Sequence, residues 1–416
     1  MLCPVGALGC LWAVHVSSTS YRQSRGASQG RNSVYARRRA APQMRDLLEV
    51  VHDPDVEFNP YYGPAPEHDC PCGSGLQAQH CHRASDDTWV AERPPALITG
   101  PRTGYGNPGC YARSSQDCDE LLTREHWISD DLLERVSNDK KVIAVEGAAW
   151  QGRTPKQKII GINSMSSKIL CSRHNRALSP LDKVAAEFFT HLRDDLLDMN
   201  WHTGLPPHFP NGFTLISGPY FELWLLKVLW GAIEAGALTV NGHVAYRFRL
   251  GVTTATLTEI LWRGAQWPKD WGMYVMLDRD TDYWIKGNAV RVRPANVESE
   301  ILGGYIQIGG FEYNISFESP PVRRIYRPAA ISFQRRGFNN CWKMAAFAWP
   351  ELGHEMVNAF SHRAPGEDPS VPPTPRAASL RDKIMPGSVN VTSGATPEQR
   401  TVDANQEEAR FTGDQR

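Results

Sequence analysis

Residues 171–182 read CSRHNRALSPLD. The spacing Cys171-x-x-His174 sets a thiolate and an imidazole on a turn that leads into a helix, where both can reach one metal ion. Ser179 offers a side-chain oxygen to the first free amides of the next helix, and Pro180 stands at its first position, where no N–H is needed. A helix is therefore expected over SPLDKVAAEFFTHLRDDLLDMN, residues 179–200. A tetrahedral zinc ion needs two more soft ligands, and Cys110 and Cys118, in CYARSSQDC, can supply them. Shared by both pairs, the metal would tie a hairpin to a helix N-terminus across a long insertion. The alternative is that Cys110 and Cys118 merely pack or sit in loops.

A second cluster lies upstream, CPCGSGLQAQHCH at residues 70–82. Its halves are Cys70-x-Cys72 and Cys81-His82, with eight residues between them. A tight glycine-containing loop can fold one pair over the other without a supporting core. The competing reading is a surface loop with free cysteines. Nine cysteines in 416 residues, an odd number grouped with histidines, point to zinc in a reducing compartment rather than to a disulfide scaffold.

The chain is long enough for two or three domains. Its 45 basic residues balance 45 acidic ones, so no global field draws in nucleic acid or an anionic membrane, and such a partner has to be met by a local patch. MLCPVGALGCLWAVHV, at the start, is apolar, but no Lys or Arg precedes it and no small-x-small cleavage site stands out. FELWLLKVLWGAIEAGALTV, residues 221–240, is interrupted by Glu222, Lys227 and Glu234 and reads as an amphipathic buried helix, not a bilayer segment. A cytoplasmic protein with no membrane partner is expected.

Composition divides the chain into an unpatterned head (1–43), a first metal-loop region (44–90), a Pro/Gly-rich linker (91–109), a second zinc module (110–200), a mixed helix and β-rich domain (201–361) and a disordered Pro/Ser/Glu-rich tail (362–416). Within the second module, TREHWISDDLLERV reads as a helix start, KKVIAVEGAAW and QKIIGINSM as extended runs, and KILCSRHN as a turn. Further on, HVAYRFRLGV, WGMYVMLDR, YWIKGNAVRVR and GGYIQIGGFEYNISF alternate in the manner of strands. The fold class expected is α+β.

Two resemblances sharpen this reading. The C-P-C-G-S-G start, the eight-residue gap and the Cys-His ending closely resemble the SEC-C motif, a short zinc-binding element found at the end of the bacterial preprotein translocase ATPase and appended to many other proteins. The match implies the ligands Cys70, Cys72, Cys81 and His82, with His80 spare, in a closed structural site that docks a protein partner. The region 110–182, with Glu125-His126 between the pairs and Asn175 after the second, resembles the HNH, or ββα-metal, endonucleases. That resemblance implies a treble-clef-like zinc site formed by Cys110, Cys118, Cys171 and His174. It also implies hydrolysis of DNA or RNA, with His126 as the base and Glu125 and Asn175 offering hard oxygens to magnesium or manganese.

There are departures from that family's pattern. Ser166 stands where an Asn usually orients the base, with Asn163 slightly earlier, and the module lacks a dense Lys/Arg surface, although Arg113, Arg124, Arg153, Lys156, Lys158, Lys168, Arg173 and Arg176 can gather on one face. A histidine after a glutamate at a helix start serves equally well as a capping or packing residue. The alternative to a nuclease is thus a non-catalytic zinc protein that binds a partner or nucleic acid. Elsewhere, Trp224 and Trp230 read as core, and Glu222 and Lys227, five apart, do not pair on one helical face. Asp278, Asp280 and Asp282 lack the Gly and closing Glu of a calcium loop, and Cys341 has no neighbouring base.

Overall fold

A computed structural model describes residues 65–72, 74–85, 89–137, 141–146, 148, 158–201, 212–240, 243–244, 248–276, 289–297, 300–308, 311–319, 324–335, 342–351, 356–361 and 389–393. The N-terminal stretches singled out above, the Asp278–Asp282 turn and Cys341 lie outside these residues.

The second zinc region opens with a strand where a helix start was expected. Residues Leu122–His126 (β1) pair antiparallel with Ser166–Cys171 (β4), and the helix Asp130–Val136 (α1) begins only after Ser129. TREH extends because its burial alternates, with Glu125 inward between the more exposed Arg124 and His126, and because β4 offers it a partner edge. A register shift between Thr123 and Glu125 marks a bulge in β1. Between the two strands the chain runs through Val142–Glu146 (β2) and Lys158–Gly161 (β3), which leave the hairpin to join a larger sheet. After β4 come the short helix Ser172–Arg176 (α2) and the long helix Ser179–Trp201 (α3), close to the expected bounds.

Gly212–Ser217 (β5) leads directly into Gly218–Glu234 (α4), whose N-cap Ser217 accepts a hydrogen bond from the Tyr220 amide. Fifteen of the α4 residues are buried, so this helix is enclosed nearly all round rather than on one stripe. Gly218 permits its entry: a Cβ there would stand 2.5 Å from the Trp349 ring. After the short pair Thr239–Val240 (β6) and His243–Val244 (β7), the helix Thr254–Arg263 (α5) is capped by the Thr253 side chain and ends at Gly264 in the left-handed region.

The remaining strands are Gly272–Met276 (β8), Ala289–Val297 (β9), Glu300–Ile308 (β10), Phe311–Ser316 (β11), Arg324–Tyr326 (β12), Ala330–Arg335 (β13), Trp342–Ala348 (β14), Met356–Ser361 (β15) and Val389–Ser393 (β16). They form an eight-stranded sheet in the order β12-β8-β11-β10-β9-β16-β2-β3 and a four-stranded sheet in the order β15-β13-β14-β5. Strand β16 lies within the stretch 362–416, and its Val-Asn-Val-Thr-Ser pattern lets it pair antiparallel with both β2 and β9.

Helix α4 touches strands of both sheets, and its Trp224 and Trp230 are fully buried, as expected. Glu222, also buried, accepts the Met273 amide at 2.7 Å and two hydrogen bonds from Arg327, each 2.9 Å, which joins α4 to β8 and to the segment after β12. Gly272, at φ +136°, makes room for this carboxylate, since a Cβ would collide with Glu222 Oε1. A single hydrophobic cluster runs from Ile98 and Cys110 through α1, α3, α4 and α5 to Trp349, so the boundary read near residue 200 is crossed by a shared core.

Candidate metal centres

The first cluster is folded by its own backbone. Cys70 N donates to Leu76 O at 2.7 Å, Gly75 adopts φ +70°, and a short 3-10 turn at Ala78–His80 carries the chain back to Cys81 and His82. His82 Nδ1 stands 3.0 Å from Cys81 Sγ and 3.4 Å from Cys70 Sγ, and Cys72 Sγ lies 3.4 Å from Cys81 Sγ. His80 is exposed and stays outside this group. Cys70 and Ala78 pack with Trp89, Phe213, Leu215 and Met344 in a satellite cluster on the four-stranded sheet, and Val90 bridges to Trp349. One wall of the loop is therefore spent on the chain's own body.

The second cluster draws its donors from three places. Cys110 and Cys118 flank a 3-10 turn at Arg113–Ser115, Cys171 ends β4, and His174 sits on α2. His174 Nδ1 is 3.1 Å from Cys171 Sγ and 3.8 Å from both Cys110 and Cys118. All four are buried. The ring's other nitrogen lies 3.4 Å from Ser115 Oγ, which donates to Ala112 O, so Nε2 carries the proton and Nδ1 is free to ligate. Trp262 of α5 packs edge-on against the imidazole and donates to the His174 carbonyl at 3.0 Å. Asp117, fully buried, pairs with Arg173 and Arg263, and Asn107 bonds the carbonyls of Asp119 and Glu120.

In each tetrad the ligand atoms all lie within 4.8 Å of one another. Four ligands at tetrahedral corners with arms of about 2.0–2.3 Å put neighbouring sulfurs roughly 3.8 Å apart, so both groups can hold a metal ion of zinc's size. The protonation pattern agrees. Cys110 is pushed up by its hydrogen bond with Cys171 and by burial, whereas that same bond holds Cys171 down to about 3 against the effect of burial. Crowded thiols cannot all ionise unaided; a bound cation would allow them to do so together.

The three residues read as catalytic part company on the folded chain. Glu125 faces the core at 4% exposure, with Lys227 Nζ 2.7 Å from its Oε1. Burial raises its carboxyl to about 7 even though Lys227 opposes the shift. That placement takes away the outward oxygen expected of a magnesium ligand, because the buried ammonium already occupies it. His126 points the other way, 18% exposed, with Nε2 3.6 Å from Asp130 Oδ1 and no hydrogen-bond partner of its own. Burial lowers its pKa, while Asp130 and a hydrogen bond to the Ile162 backbone pull it upward. Asn175 sends its amide nitrogen to Thr123 Oγ1 at 3.0 Å and to the Arg124 carbonyl at 2.9 Å, which clips α2 onto β1.

Asp130 and Asp182 were not singled out from the sequence, and Lys227 was read only as a charge interrupting an apolar helix. Asp130 was legible, standing four residues after His126. The other two reach the site across 56 and 101 residues of chain, and no local pattern announces them. Among the described residues no helix is long and apolar enough to cross a membrane. No protein-family model, no curated protein and no solved structure matches the chain.

Proposed function

We propose that this protein is a zinc-stabilised, metal-dependent phosphodiesterase acting on DNA or RNA, with His126 as its general base. One observation carries the reading: an antiparallel pair, β1 and β4, runs into α2 with a Cys/His tetrad closing the unit, and a half-buried His126 ends β1. The zinc ions in both tetrads are structural, since each has four protein ligands and no open position. With the backbone hydrogen bond to Ile162 falling to Nδ1, Nε2 keeps its lone pair and, having no hydrogen-bond partner, is the nitrogen left to accept a proton. Magnesium or manganese, when bound, supplies positive charge to the phosphate oxygens as the leaving group departs. The oxygen beside His126 that suits such an ion belongs to Asp130, with Glu125 withdrawn. Arg124, Lys168 and Arg176 are exposed on β1, β4 and α2, and they would meet the phosphate backbone.

A second reading is favoured by the engagement of Glu125 with Lys227: a non-catalytic zinc protein that uses the same face to bind nucleic acid, or the first loop to bind a protein. One assay divides the two. Plasmid, single-stranded DNA and RNA are incubated with the protein in magnesium or manganese beside His126→Ala. Cleavage lost in the variant supports the enzyme; binding without cleavage under every condition supports the second reading.

A further inference from the structure

We propose that Lys227, on a helix outside the zinc hairpin, is a positioning residue for His126: its ammonium grips the carbonyl of His126 itself and so fixes the end of β1. This inference rests on reading His126 as the base. Lys227 Nζ donates to His126 O at 2.6 Å and to Asp182 Oδ1 at 2.9 Å, and it stands 2.7 Å from Glu125 Oε1 as an ion pair. The side chain is 1% exposed.

The node extends further on both sides. Asp182, at the start of α3, also accepts from Ser129, the residue before α1, and Ser129 Oγ accepts the Trp224 indole N–H at 2.8 Å. Strand β1, both flanking helices and α4 thus meet at one ammonium directly behind the His126 backbone. Two carboxylates share that single cation, a costly arrangement in a core if packing were its only purpose, because an apolar side chain fills space without desolvating charges. What an apolar residue cannot do is hold a backbone carbonyl and the adjacent carboxylate at fixed places at the same time. The His126 side chain is 18% exposed, and the backbone from which it departs is the one that Lys227 holds. Glu125 belongs to this device as the second grip on β1.

The test uses the full chain loaded with zinc. Lys227→Met alone strands two carboxylates, so it is combined with Glu125→Gln; Lys227→Arg, made separately, keeps the charge but cannot place one compact ammonium on three oxygens. The readouts are zinc content, nuclear Overhauser contacts from the His126 ring to Ile162 and Asp130, and the split of kcat and KM for manganese-dependent cleavage. The expected result is unchanged zinc content, lost or broadened His126 contacts, and kcat reduced by about 10- to 100-fold with KM held, the penalty of a misplaced reacting group.

His126 contacts identical to wild type in both variants would overturn the proposal. If the contacts are lost but the wild type cleaves nothing, the positioning stands and the nuclease reading falls. Should the variants not fold, the wild type still decides: the Lys227 ammonium must appear as a slowly exchanging signal with contacts to His126, and its absence overturns the idea.

Discussion

Replacing Cys171 by serine should cost the protein far more than the same change at Cys72. The Cys171 tetrad is buried throughout, with ligands between 0% and 2% exposed, and it lies within the main hydrophobic cluster. Cys72 and Cys81 are partly exposed, and their loop packs on a smaller cluster at the four-stranded sheet. Apparent zinc affinity in small structural sites is about 10–16 kcal/mol near pH 7, so losing even a quarter of it removes roughly 3–4 kcal/mol. At about 2–4 °C per kcal/mol for a core of this size, the melting temperature of Cys171→Ser falls by roughly 6–16 °C. Such a loss is a large share of the ~5–15 kcal/mol that holds a domain together. At Cys72 half of the tetrad, Cys72 and Cys81, is already partly exposed, and the main hydrophobic cluster keeps its own packing. Zinc stoichiometry by mass spectrometry, read beside thermal unfolding with and without chelator, gives both quantities; the expected wild-type content is two ions, one for each tetrad. A Cys171→Ser protein that melts with the wild type, or a Cys72→Ser protein that melts lower than it, would refute the reasoning.

Three further outcomes follow from the geometry. Since burial lowers the His126 pKa below its usual value near 6.5, the acid limb of any cleavage rate should fall below that pH, and His126→Ala should remove the limb together with the activity. Arg327→Met leaves the buried Glu222 carboxylate without its cation and should cost about 3–5 kcal/mol in urea unfolding, with Glu222→Gln in the same chain restoring part of it. Glu125, raised to about 7, binds its proton more tightly folded than unfolded. Its contribution to stability is therefore complete below the ordinary carboxylate range and fades as pH rises through about 7, and Glu125→Gln should flatten that limb in melts taken from pH 4 to 8.

What was legible in the sequence is what short-range chemistry writes. The two ligand sets were named by spacing and residue type, and the folded chain brings each within one small sphere. The run from Phe221 to Val240 announced a buried helix, because fifteen-odd apolar residues cannot be left in water even with three charges among them. Helix α3 was announced by Ser179-Pro180 in its first turn, although it begins at Ser179 itself, with the Leu178 carbonyl accepting the Asp182 amide.

Strand β1 was not legible, since TREH has no strong preference of its own and extends only because β4, more than forty residues later, presents an edge. The same is true of β16, five residues in a Pro- and Ser-rich stretch that find their place between β2 and β9. The role of Glu125 was decided in the same way. Sequence alone set a carboxylate beside a histidine; tertiary packing put a lysine 102 positions later against it and turned the pair to opposite sides of one strand. Ligand spacing is a property of a few consecutive residues, whereas burial and charge pairing belong to whatever the completed fold lays against them.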